Sequence, residues 1–190
     1  LTGQDGLGSF SFSGWFYVDT PQFTSGCTVF VVDPNGAYTH NAFLAAGNAQ
    51  EMHVQVWSPD GVSNDLDTMA HHLPSNQWFH VLASFDSGTD DTGYALVNGV
   101  SQYVLNKRGS AFTLNWNGLE LTIGTDFASP NYIGNMADLW IAPGVSLLNG
   151  QDVIDSTTVA KFISNGSPVD LGSDGSTPTG SAPLVFLHCS

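Results

Sequence analysis

Between Ser9 and Val18 the chain alternates between two faces, with Phe10, Phe12, Phe16 and Val18 on one and Ser11, Ser13, Trp15 and Tyr17 on the other. A period of two marks a strand with one face in a core, and the 3.6-residue period of a helix is nearly absent from the chain. Residues 51–57 alternate in the same way, sending Met52, Val54 and Val56 inward, before a turn signal at Ser58-Pro59-Asp60-Gly61. Residues 78–86 place Phe79, Val81, Ala83 and Phe85 on one side, and residues 119–123 and 136–141 alternate as well. Residues 94–100 read as a strand, an Asn98-Gly99 hairpin turn and a return strand. Strands this closely spaced, separated by Gly, Asn, Asp, Ser and Pro, predict an all-β, two-sheet antiparallel sandwich and exclude repeated βαβ units.

One short C-terminal helix is expected from Ser156 to about Ser164, with Asp155 as N-cap, Val159, Phe162 and Ile163 as buried stripe, and Gly166 as stop. Residues 167–183 are rich in Gly, Ser, Pro and Asp and read as a long loop, after which residues 184–188 return to a strand. At 190 residues the chain is expected to form a single domain spanning 1–190. A domain of that size buries roughly 70% of its unfolded surface, so it needs no disulfide. Cys27 and Cys189 allow one disulfide without defining a framework. The start, Leu1-Thr2-Gly3, has neither an initiator Met nor the order of a signal peptide and is expected to be internal or processed.

Charge narrows the partners. The chain has 3 Lys and Arg against 17 acidic residues, a formal net charge of -14. Nucleic-acid affinity rests on Lys and Arg neutralising phosphates, so a nucleic-acid partner is excluded. An anionic membrane surface is excluded on the same ground, and no stretch nears the roughly 20 apolar residues of a membrane-spanning helix. Aromatics at 12% separate the chain from disordered acidic segments.

Four segments occur in an order that resembles laminin-G-like domains. Trp78-Phe79-His80-Val81-Leu82-Ala83-Ser84-Phe85-Asp86 resembles their W-x-H-V-A-x-x-F-D strand, and residues 94–100 resemble their Y-x-x-V-N-G-V hairpin. Leu121-Thr122-Ile123-Gly124 is similar to the following L-x-I-G strand, and residues 132–141 to a strand near the family's end. The resemblance implies the concanavalin A-like jelly roll. A second resemblance lies in the tail. Val159-Ala160-Lys161-Phe162-Ile163-Ser164, Pro168-Val169-Asp170-Leu171-Gly172 and Gly175-Ser176-Thr177-Pro178-Thr179-Gly180 resemble tails of such domains in virion proteins of tailed phages and prophages.

Catalysis is not expected. Glucanases of this fold use paired carboxylates about 5 Å apart. Here Glu51 and Glu120 are the only glutamates, and neither has an acid two residues away. No Gly-x-Ser-x-Gly elbow occurs. The adjacent pair His71-His72 lacks the further ligands a zinc site needs. Calcium is the one cofactor the resemblance implies, since relatives bind it at the sandwich rim. Asp126 occupies a position resembling one such ligand, and Asp60 is the proposed partner. Asp86, Asp90 and Asp91 form another oxygen-rich stretch, though none of these has the spacing of a self-contained calcium loop. Asn165-Gly166-Ser167 matches the glycosylation pattern and equally suits a helix cap.

These readings lead to a non-enzymatic structural, decoration or fibre module on the virion surface, bound to capsid or fibre proteins and carrying a glycan-binding or adhesion role. The alternative is a secreted or surface lectin that uses calcium. The ligand face expected is Glu51, His53, Gln55 and Trp57, where an indole plate sits beside directional polar groups. Alternatively, Trp57 packs beneath a loop or under Trp15 and Tyr17. The apolar residues 184–187 either complete the domain's own sheet or seek an edge partner in an assembly, a homo-oligomer included.

Overall fold

The computed structural model describes residues 6–18, 27–33, 42–46, 52–56, 68–69, 73–86, 92–104, 113, 116–118, 120–124 and 134–188. Strands β1 (Ser9–Val18), β7 (Trp78–Asp86), β8 (Thr92–Val97), β9 (Val100–Ser101), β12 (Gly134–Pro143) and β15 (Val185–Leu187) form a six-stranded sheet in the order β15-β12-β1-β7-β8-β9. Every pairing in it is antiparallel. A second layer contains β2 (Cys27–Thr28), β3 (Phe30–Asp33), β4 (Ala42–Ala46), β5 (Met52–Val56), β6 (Thr68–Met69), β10 (Tyr103–Val104) and β11 (Glu120–Ile123). In it β2, β4 and β5 pair in series, β3 pairs with β11, and β6 with β10. β4 lies beside β3, and β6 beside β5.

The two layers enclose the main core. Phe10, Phe12, Phe16 and Val18 of β1 meet Phe79, Val81, Ala83 and Phe85 of β7 there, together with Phe30, Val32 and Trp116. Leu121 and Ile123 pack against them from β11, and Leu139 and Ile141 from β12. For β1 and β7 this is the membership that alternation predicts, while Trp116 joins the core without any such signal. Each of these side chains contributes on the order of 1.5–3 kcal/mol by leaving water. Gly14 lies between Phe12 and Phe16 on the inward face, where a Cβ would stand 2.7 Å from the Phe16 ring. Only glycine leaves that ring its place.

Three sequence expectations are corrected. Alternation does not run unbroken through residues 136–141. Between Ser13↔Trp140 and Trp15↔Ala137, β12 uses one residue more than β1, a bulge with Asp138 at φ 50. Met136 and Leu139, three positions apart, therefore both face the main core. Second, the helix α1 spans only Ser156–Val159, although Asp155 caps it as expected, accepting from the Thr158 N–H at 2.8 Å. Ile163–Ser164 is strand β13, paired with β14 (Ser167–Pro168). Asn165 and Gly166, at φ 51 and 75, make the tight hairpin turn between them, not a helix stop. β-Branched Thr157, Thr158 and Val159 are weak helix formers, and Asn-Gly is a strong hairpin signal. Third, the 167–183 stretch begins as β14 and continues as turns.

The C-terminal strand completes the domain's own sheet, since β15 pairs with β12 through Leu139↔Leu187 and Ile141↔Val185. Of the two alternatives for that strand, this is the one observed.

Candidate functional site

The six-stranded sheet has a second face, and the C-terminal segment lies on it. Leu82, Leu96, Trp140, Ala142, Ile154, Phe162 and Leu171 form a separate small core there. Trp140 meets Phe162 edge-on at 5.3 Å and donates its indole N–H to the Gly175 carbonyl at 2.9 Å. The serines that alternation turns outward do not reach water, for Ser11, Ser13 and Ser84 are buried. Ser11 Oγ lies 2.8 Å from Ser84 Oγ and donates to the Val145 carbonyl at 2.7 Å. Ser84 Oγ in turn accepts from the Leu147 N–H at 2.9 Å.

Farther along β1 and β7 the same face carries aromatic rings. Trp15 and Tyr17 stand opposite His80 and Trp78 in the register. Trp15 lies on the His80 ring with centroids 5.1 Å apart, and Tyr17 meets Trp78 edge-on at 5.9 Å. The hairpin of β13 and β14 comes down beside them. Trp15, Trp78, Ala137, Gly166 and Pro168 then line a notch of about 280 Å³, near the lower end of the size range of small-molecule pockets. Trp78 is 44% exposed, so part of its side chain in the notch is within reach of a ligand.

Below Trp15, His80 Nε2 and Ser13 Oγ are hydrogen-bonded at 2.8 Å. The pair has the composition of a base and a nucleophile, yet both residues are buried. Burial pushes the His80 pKa down to about 3, so the ring stays neutral. Its Nδ1 has no hydrogen-bond partner among the described residues, hence no carboxylate to orient it. His80 is further fixed by Asn98, whose Oδ1 accepts the His80 N–H at 2.8 Å. This pair supports Trp15 and reaches no substrate. Among the described residues no acid, base or nucleophile lines the notch, and what they offer is apolar contact and stacking.

Glu51, Trp57, Asp60 and Asp126 lie outside the described residues, as do His71, His72, Asp90 and Asp91. His53 and Gln55 are on β5, opposite Ala45 and Phe43 of β4. Glu120 is exposed on β11. Among the described residues no three His, Cys, Asp or Glu side chains group as metal ligands, and no helix is long and apolar enough to cross a membrane. Trp15 and Tyr17 rest on His80 and Trp78. The notch was not anticipated. Its signal was present as two tryptophans and a tyrosine at outward positions of β1 and β7, but uniting them requires the pairing of those strands.

An antiparallel jelly roll of two layers, with an aromatic notch and no acid pair among the notch-lining residues, defines a class of β-sandwich. The chain belongs to the concanavalin A-like lectin/glucanases superfamily, through a laminin-G model that matches residues 2–153. A search of curated protein sequences finds no match. Among solved structures, the heptameric SAP-like pentraxin of Limulus polyphemus is similar at a TM-score of 0.59 and 13% identity, over 89% of this chain and 78% of that one. The CBM40 of the Ruminococcus gnavus IT-sialidase gives 0.53 and 12%, over 77% and 82%. Mouse laminin α1 domains LG4-5 give 0.51 and 14%, over 77% of this chain and 40% of that one. At these identities the likeness is one of fold.

Proposed function

We propose that the chain acts as one non-enzymatic recognition domain that binds a saccharide against Trp78 in the Trp15–Trp78 notch. The observation that carries this is an indole 44% exposed beside a second, buried one, in a cleft with no charged lining among the described residues. The C–H face of a pyranose ring is a flat apolar surface that such a plate matches, and hydrogen bonds at the rim set its orientation. Asn135, two residues before Ala137 on β12, stands opposite Tyr17 in the register. A superfamily that joins lectins with glucanases, and a sialidase CBM40 of the same fold, support the reading.

The face of Glu51, His53, Gln55 and Trp57 is the second proposed surface, with Asp60 and Asp126 as proposed calcium ligands. A glycan array with and without chelator, run on Trp78→Ala and Trp57→Ala, separates these. Loss in Trp78→Ala alone, with its melt unchanged, assigns the notch. Loss in Trp57→Ala alone assigns the β5 face, and unchanged binding in both overturns the proposal. Chelator sensitivity assigns calcium.

The proposed place is the virion surface, with capsid or fibre proteins and further copies as partners, and secretion as a lectin is the alternative. Residues 159–180, whose sequence resembles virion-protein tails, support the first. Antibody labelling of intact particles tests it, and label found elsewhere but not on particles overturns it.

A further inference from the structure

The segment that closes the outer face also walls a groove of about 680 Å³, between residues 144–148 and 177–181. Lys161 enters this groove from the turn after α1, and Thr158, Thr177 and Ser181 stand in its wall. Lys and Arg number 3 in the whole chain against 17 acidic residues, so a cation in a groove wall is a local reversal of sign. The Lys161 ammonium donates to the Pro178 carbonyl at 2.9 Å. That bond holds the head group in place and uses one of its three donors.

Among the described residues no acidic side chain lines the groove. The nearby carboxylates are turned to backbone instead. Asp155 accepts from the Thr158 N–H, Asp170 from Gly172 and Asp174 from Ser176, at 2.8, 2.8 and 3.0 Å. Hydrogen bonds from Thr158 hold the Asp155 carboxyl below its usual range, and the charge of Lys161 adds to this. Asp155 is thus within electrostatic reach of Lys161 without entering the groove. Leu147 and Leu148 supply an apolar strip along one side.

We propose that this groove is a second binding site, separate from the notch, for an acidic saccharide whose carboxylate or sulfate group pairs with Lys161. The sugar hydroxyls meet those of Thr158, Thr177 and Ser181, and its C–H face meets the leucines. The net charge of -14 repels an anion at a distance. Screening over about 8 Å at physiological ionic strength leaves the short-range pairing to decide. The site does not depend on the notch being a saccharide site.

Saturation-transfer NMR on the full chain tests it, with D-glucuronate as the carboxylate probe, glucose 6-sulfate as the sulfate probe and D-glucose as the neutral control. At least one acidic sugar binds, its binding weakens as salt rises, and glucose shows no binding that Lys161→Met reduces. Lys161→Met weakens acidic-sugar binding about tenfold or more, the scale of a lost charge-assisted hydrogen bond. Lys161→Arg retains it. Glucose binding reduced equally by Lys161→Met, neither acidic sugar binding, or acidic-sugar binding indifferent to salt in the unmodified chain overturns the proposal. Unchanged binding in a folded Lys161→Met does so as well.

Discussion

The two faces of the six-stranded sheet are sealed by different physics. The inner face meets a second β-layer whose backbone has ladders of its own, and among the described residues the contact is made by apolar and aromatic side chains. Phe10 meets Phe30 at a tilt with centroids 6.1 Å apart, and Phe12 meets Phe30 edge-on at 5.4 Å. The outer face is covered mostly by loops, with one short helix and one short hairpin, and the loop backbone groups lack a ladder and still need partners when buried. The sheet supplies them from side chains, with Ser11 for the Val145 carbonyl, Ser84 for the Leu147 N–H and Trp140 for the Gly175 carbonyl. Burying a loop on a sheet thus requires polar residues at positions that look solvent-facing. The matched family region ends at residue 153, and most of this cover lies beyond it.

Truncating an inner-face ring gives the largest expected effect. Phe85→Ala costs about 3–5 kcal/mol in a denaturant titration, as aromatic truncations in cores do. A loss under about 1 kcal/mol would mean that the inner face is not the main core.

The outer face is expected to be the pH-sensitive one. His80 has a native pKa pushed down by burial from 6.5 to about 3, so between those values the unfolded chain binds a proton that the native one does not. Its contribution is fully present above the unfolded pKa and is lost as pH falls through that window. Between pH 7 and pH 4.5 the loss from this group is about 2–3 kcal/mol. Thermal melts across that range show a steeper decline in the native chain than in His80→Gln, and parallel declines would refute the assignment.

The smallest of the three effects concerns the serine links. Ser84→Ala leaves the part-buried Leu147 N–H without its acceptor, at a cost of about 1 kcal/mol. Hydrogen exchange sharpens the comparison, with residues 145–148 losing protection while β7 and β1 keep theirs.

The inner face was legible because it obeys one rule, period-two alternation of large apolar residues, and the observed β1 and β7 end where that alternation ends. The outer face was not. Alternation assigns Ser11, Ser13 and Ser84 to a side but says nothing about whether water or chain lies beyond it. Asp138 adds a residue that no periodicity reveals, and Asn165-Gly166 serves equally as a helix stop or a hairpin turn until its neighbours are placed. The notch required the register of β1 against β7 and the position of a hairpin some ninety residues later, which are tertiary facts. Glu51, Trp57, Asp60 and Asp126 rest on sequence alone.

β1 is an interior strand whose partner on one side, β12, comes near the far end of the chain, and its Ser11 waits for Val145, 134 residues on. At about 5–20 residues per second, translation leaves this interval open for on the order of ten seconds. Through it, Phe10, Phe12 and Phe16 have no finished core to enter. Contacts this distant in sequence also slow folding once the chain is complete. The nascent domain is therefore a long-lived client for whatever shields aromatic strands on the ribosome, and its yield is governed by that delay as much as by the stability it finally reaches.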